Sequence, residues 1–320
     1  MGRVDRYLQP EAADPVLTPT QVRRLATPHL PAGVVDEPCV VDESGGEARA
    51  YLLGTNVVVK VQRPHRLRPR TSLAKEAALL AALAAVLRGR IPELFGYDRV
   101  LDPALGVVEF IVMGRVPGRA VRHLPVTGPA RAALLGDLAT VLQTVHALDP
   151  PAPTGGDADG GGLPTDATAA AVQQRFELGF ADLVDELGAQ PQRWTLPVSP
   201  AQVAGRAAAA LPTQLVGRPV PLHSNPGPTH TFVDVRSRFT GLIDFGDAYC
   251  SHPALDLRTW PDPAERIALR WAYLDGADPG GEFDAVWTVG MIYADMRAML
   301  GGGAVGERAA ADLAHRLTLL

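Results

Sequence analysis

Near Met113 the chain changes rhythm, and few folds accommodate that change within 320 residues. Before it come short apolar runs of strand length, parted by turn signals: Val34 to Val41, Arg49 to Leu53, Asn56 to Gln62, Phe95 to Val100 and Val107 to Met113. Such runs bounded by Gly, Pro, Asn and Asp read as strands. A single helical pattern, Leu73 to Leu87, interrupts them. Ser72 is placed to cap it, with Glu76 closing a loose capping box. After Met113 the apolar residues fall at helical spacing, as in Leu134, Leu138, Val141, Leu142 and Val145. The order β-β-β-α-β-β followed by helices predicts an α+β chain. A β-rich N-terminal lobe with one key helix would span 1–113, and a mostly helical C-terminal lobe 114–320.

Finer features fit that division. A short helix is expected over Pro19 to Leu30, and helices over Pro129 to Leu148, Asp166 to Leu187 and Pro200 to Leu211. Asp149 to Pro164, rich in Pro, Gly and Asp, reads as a loop. Two β-like runs, Thr231 to Val235 and Thr240 to Ile243, bracket Arg236-Ser237-Arg238, and helix returns from Pro253, broken at Gly301-Gly302-Gly303. Composition excludes several classes. A net charge of −5 with no basic run argues against nucleic-acid binding. Cys39 and Cys250 form no disulfide framework or zinc spacing, and no window is long and apolar enough for a membrane span. A soluble, cytoplasmic protein without membrane contact is expected.

Only two of the thirty basic residues are lysines, Lys60 and Lys75, and only Asn56 and Asn225 are asparagines. In a chain so depleted, a surviving Lys or Asn calls for a chemical reason. Lys60 ends the apolar run Val57-Val58-Val59, where the pattern turns it inward. A buried ammonium needs a carboxylate, and Glu76 on the following helix can supply one. Lys75, beside Glu76, is expected in solvent.

The second marked segment is Leu222 to Asp247, LHSNPGPTHTFVDVRSRFTGLIDFGD. It places Asp244-Phe245-Gly246 at the end of an apolar strand, after a His223 loop and two β runs. With Lys60, Glu76, Phe110-Ile111-Val112-Met113, Val116-Pro117-Gly118, Leu142-x-x-Val145-His146 and Pro253-x-x-Asp256-Leu257 in order, the chain resembles the aminoglycoside phosphotransferase family. That family is a branch of the two-lobed protein-kinase-like fold. Gly45-Gly46 could be the phosphate-covering loop or a plain hairpin turn. No Walker motif and no G-x-S-x-G is present.

The resemblance implies roles residue by residue. Lys60 would hold the α- and β-phosphates of ATP or GTP, with Glu76 orienting it, and the backbone of Ile111, Val112 and Met113 would bind the base. Asp244 would bind Mg²⁺, and Asp256 would brace the catalytic loop. Asp247 is either a further site residue or a surface turn. The family loop reads His-Gly-Asp-(four residues)-Asn; here it runs from His223 to His230, with Asn225 in place of the catalytic Asp and His230 in place of the metal-binding Asn. His230 could instead contact a phosphate or Asp244, or be satisfied by backbone carbonyls. An amide cannot accept a proton, so Asn225 implies a slow kinase for a small-molecule hydroxyl, aminoglycoside-like or another natural product. The alternative is a catalytically impaired pseudokinase that binds nucleotide or a partner. Asp182, Asp185, Glu186, Asp262 and Glu265 could face a cationic aminosugar or simply be solvated helix faces.

Overall fold

The computed structural model describes residues 14–30, 37–43, 45–66, 71–124, 126–150 and 162–318. The chain divides into two compact units, one of residues 1–123, 150–164 and 231–248, the other of residues 124–149, 165–230 and 249–320.

The first unit is built on an antiparallel five-stranded sheet. Its strands are β1 (Cys39–Asp42), β2 (Ala48–Leu53), β3 (Val57–Gln62), β4 (Leu94–Asp102) and β5 (Gly106–Gly114), in the order β1-β2-β3-β5-β4. The pleat sends alternate side chains to opposite faces. Tyr51, Leu53, Val57, Val59 and Val61 go to one face, which α1 (Pro19–Ala26) covers with Val22 and Ala26. Lys60 therefore points to the other face, where α2 (Leu73–Leu83) lies with Glu76 in its first turn. A second sheet in this unit joins β6 (Arg119–Ala120), β8 (Thr231–Val233) and β9 (Phe239–Leu242) in the order β6-β8-β9. β9 delivers the chain to Asp244.

The helical unit comprises α3 (Gly128–Ala147), α4 (Ala169–Gly188), α5 (Pro200–Ala209), α6 (Ala254–Leu257), α7 (Pro263–Leu274), α8 (Gly280–Gly301) and α9 (Gly303–Arg316). Three of its helix starts follow the capping rules: Thr168, Ser199 and Asp262 each accept from a first-turn N–H, and Ser199 forms a full capping box with Gln202. A short antiparallel pair, β7 (Val220–Leu222) with β10 (Tyr249–Ser251), flanks the loop that carries His223. Inside the bundle Arg266 and Asp295 form a fully buried ion pair between α7 and α8. Among the described residues no helix is long and apolar enough to cross a membrane.

Three expectations are corrected. The first helix closes at Ala26 and continues as a 3₁₀ turn, Thr27–His29, because Pro28 cannot donate within a helix. The first strand begins only at Cys39, after Pro38, and Val34 to Asp36 of the expected run lie outside the described residues. Glu76 closes no capping box: Ser72 caps through the Lys75 N–H, and the Glu76 carboxylate turns inward instead.

Candidate active site

In the first unit three charged side chains meet. The Lys60 ammonium donates to Glu76 Oε2 at 2.6 Å and to Asp244 Oδ1 at 2.7 Å. Lys60 is 16% exposed and Glu76 fully buried, while Asp244 is 43% exposed and turns toward solvent. Burial opposes the Lys60 charge, but Asp244 and then Glu76 outweigh it and raise its pKa above the ordinary lysine value. Burial, with the charge of Asp244, lifts Glu76 above the usual carboxylate range against the pull of Lys60. Among the described residues Glu76 Oε1 is buried without a hydrogen-bond partner. Asp244 itself adopts φ 74°, a left-handed conformation costly for a residue with a Cβ. The turn after it is tied to α2, since the Gly246 carbonyl accepts from the Ser72 N–H at 3.1 Å.

Lys75 is not in solvent. It is 5% exposed, and its ammonium donates to the Ala248 carbonyl at 2.8 Å. The N-terminal turn of α2 faces the segment 244–248, so both lysines of the chain bind the two ends of that segment. Asp247 pairs with the Thr71 hydroxyl, which also bonds Glu47 at 3.1 Å. Glu47 follows Gly45-Gly46, whose turn is further held by Arg63 on the Gly45 carbonyl. Arg63 and the buried Arg49 both reach Asp14, a polar clamp that sequence reading missed because its members lie up to 49 positions apart. Ile111, Val112 and Met113 lie in mid-sheet, opposite Lys60, Val59 and Val58 of β3 on one side and Tyr97, Gly96 and Leu94 of β4 on the other. Backbone groups for a ligand are therefore left where β5 ends.

In the helical unit the loop 223–230 hangs on one carboxylate. Asp256, fully buried on α6, accepts from the His223 N–H at 2.7 Å and the Ser224 N–H at 2.8 Å. His146 Nε2 stands 3.1 Å from the same carboxylate, and its Nδ1 lies 2.9 Å from the Tyr273 hydroxyl. The Asn225 N–H donates to His223 Nδ1 at 3.2 Å, and the side chain of Asn225 is exposed. His230 Nδ1 lies 2.8 Å from the Asn225 carbonyl. A carbonyl only accepts, so that nitrogen carries the proton. Ser224 has φ 80°. Its signal was in the sequence, a Ser where the similar family loop has Gly.

A resident metal has few protein ligands to use. Among the described residues no group of three His, Cys, Asp or Glu side chains could hold an ion. One exposed carboxylate, Asp244, offers hard oxygens. That fits Mg²⁺, which binds through one or two carboxylates and takes its other ligands from phosphate and water.

A β-rich lobe with a strand Lys and helix Glu, followed by a helical part, defines the protein-kinase-like fold. The chain belongs to the phosphotransferase enzyme family, whose profile matches residues 39–286. Solved structures share the fold. Macrolide 2'-phosphotransferase MphH from Brachybacterium faecium superposes with a TM-score of 0.55 at 24% identity, over 91% of this chain and 96% of that one. The GDP complex of wild-type aminoglycoside 2'-phosphotransferase-IIIa gives 0.59 at 17% identity, over 95% and 97%. The streptomycin–ATP complex of APH(2")-IIa gives 0.51 at 16% identity, over 94% and 97%. Comparison with curated proteins found no match.

Proposed function

We propose that this protein is a small-molecule kinase that moves the γ-phosphoryl group of ATP or GTP to a hydroxyl of a natural-product-sized acceptor. The observation that carries this is the Lys60 ammonium shared between Glu76 and Asp244. Nucleotides in related folds, GDP and ATP among them, lend support. In this reading Lys60 binds the α- and β-phosphates and Glu76 keeps the ammonium in place. The exit of β5, from Ile111, Val112 and Met113 toward Val116, receives the base. Asp244 would hold Mg²⁺, which would supply charge neutralisation of the phosphates. Asp256 and His223 fix the loop that presents Asn225 to the acceptor.

The acceptor oxygen bonds to the γ-phosphorus while the β,γ-bridging oxygen leaves with the nucleoside diphosphate. Asn225 can orient the hydroxyl but cannot take its proton, which passes to the phosphoryl oxygens or to water. Loss of a general base costs roughly 10²–10⁴-fold, although loose phosphoryl transfer depends chiefly on positioning and electrostatics. A second reading, a nucleotide-binding pseudokinase, is favoured by the same exposed amide.

Thermal shift with ATP and GTP, each with and without Mg²⁺, tests both readings on the unaltered protein and on Asn225→Asp. A Mg²⁺-dependent shift is expected in each, and its loss in Lys60→Ala. No shift in either protein sinks both readings. Transfer by the unaltered protein supports the kinase, and transfer by Asn225→Asp alone supports the pseudokinase.

A further inference from the structure

Nothing above specifies the acceptor, and the helical unit carries an arginine with no role so far. Arg258 lies two residues beyond Asp256 and next to Thr259. Thr259 borders the 223–230 loop, since a Cβ added at Gly227 would stand 3.0 Å from its carbonyl oxygen. The Arg258 guanidinium lies 4.4 Å from the ring centroid of Tyr293 on α8 and 5.1 Å from that of Phe176 on α4. Two glycines make room for this stack. A Cβ at Gly290 would come 3.3 Å from Arg258 Cδ, and one at Gly179 would come 2.7 Å from the Tyr293 ring. Both sit inside helices, where glycine is a poor helix former, so the notch replaces better helix residues.

Among the described residues Arg258 makes no ion pair and no hydrogen bond, and its Nη1 is buried without an acceptor. A half-buried cation on aromatic faces gains from their quadrupoles but keeps an unanswered demand for hydrogen-bond acceptors. The carboxylates that would suit a polycation are mostly engaged. Glu186 pairs with Arg297 at 3.0 Å, Glu265 with Arg131 at 2.9 Å and Asp262 with Arg308 at 2.6 Å. Glu177, Asp182 and Asp185 are further exposed carboxylates on α4. Arg297, on the same helix as Tyr293, is held by Glu186 at 3.0 Å.

We propose that Arg258 is an acceptor-binding residue, and that it selects an acceptor bearing a carboxylate or phosphate over a polycationic aminosugar. This rests on the kinase reading above. A planar fork of N–H donors set against two rings suits the two oxygens of such a group.

The test uses 4-nitrophenyl β-D-glucuronide and 4-nitrophenyl β-D-glucoside, which differ by one carboxylate, titrated calorimetrically with and without Mg²⁺ and ADP. Kanamycin serves as the polycation, and glucose 6-phosphate against glucose separates phosphate from carboxylate recognition. Within at least one of the two pairs the anionic sugar should bind about tenfold more tightly than its neutral partner, and more tightly than kanamycin. Arg258→Gln should abolish the preference without changing the ATP-induced thermal shift. Equal affinities within both pairs, tighter kanamycin binding, no sugar binding at all, or a preference that survives Arg258→Gln would each overturn the proposal. If that variant does not fold, the comparison on the unaltered protein decides alone. Loss of the nucleotide shift, by contrast, strikes the kinase reading and leaves the sugar comparison standing.

Discussion

Ser224 and Asp244 hold φ values of 80° and 74°, which residues with a Cβ seldom adopt. Ser224 is kept there by its N–H on Asp256. Ser224→Gly should relieve the strain and stabilise the protein by about 1 kcal/mol, seen as a higher denaturant midpoint at unchanged slope. A midpoint equal to or below that of the unaltered protein would contradict the strain. His252 makes a second prediction. Burial pushes its pKa down to about 4, against the pull of Glu282 at 3.6 Å and with a further push from His146. Unfolded, it titrates near 6.5. Between those values the unfolded chain carries a proton that the folded one does not. Stability contributed by His252 is therefore complete above about pH 6.5 and falls as pH drops toward 4, by at most ~1.4 kcal/mol per pH unit. His252→Gln should flatten melting temperature against pH in that window, and an unchanged slope would assign the titration to another group.

Among the elements, the turn onto β6 runs close against the backbone of a neighbouring strand. A Cβ on Gly118, where φ is 97°, would stand 2.1 Å from the Val233 carbonyl of β8. Gly118→Ala should cost about 2–3 kcal/mol and loosen the sheet that leads to Asp244; hydrogen exchange should show β8 and β9 losing protection first. The strands and helices around this turn were legible where period and punctuation agreed, as in β3 with Val57-Val58-Val59 and α2 behind Ser72. β7 and β10 escaped notice because each has three residues and Pro221 interrupts the first. In the candidate site Lys60, Glu76, Asp244 and Asp256 could be singled out, since scarcity and order marked them. The burial of Lys75 and the clamp of Arg49 and Arg63 on Asp14 could not. Each depends on which residues become neighbours in space, and neither spacing nor composition encodes that.

At the scale of the whole molecule, the residues assigned to nucleotide and those assigned to acceptor belong to separate units, each with its own buried interior. Residue 225 contributes to neither interior. Its side chain is exposed, and its backbone is placed through His223 and, beyond it, Asp256. Asn225→Asp should therefore leave global stability within about 0.5 kcal/mol, and a larger loss would mean that the amide is structural. The next residue, Pro226, has a consequence of its own. An asparagine side chain ages into aspartate chiefly when the following backbone nitrogen attacks it and expels ammonia. Proline has no N–H to serve that ring closure. Asn225 is thus protected from the spontaneous reaction that would convert it to a carboxylate, and a stored sample will not acquire an aspartate there with time. Whatever turnover a preparation shows belongs to the amide form.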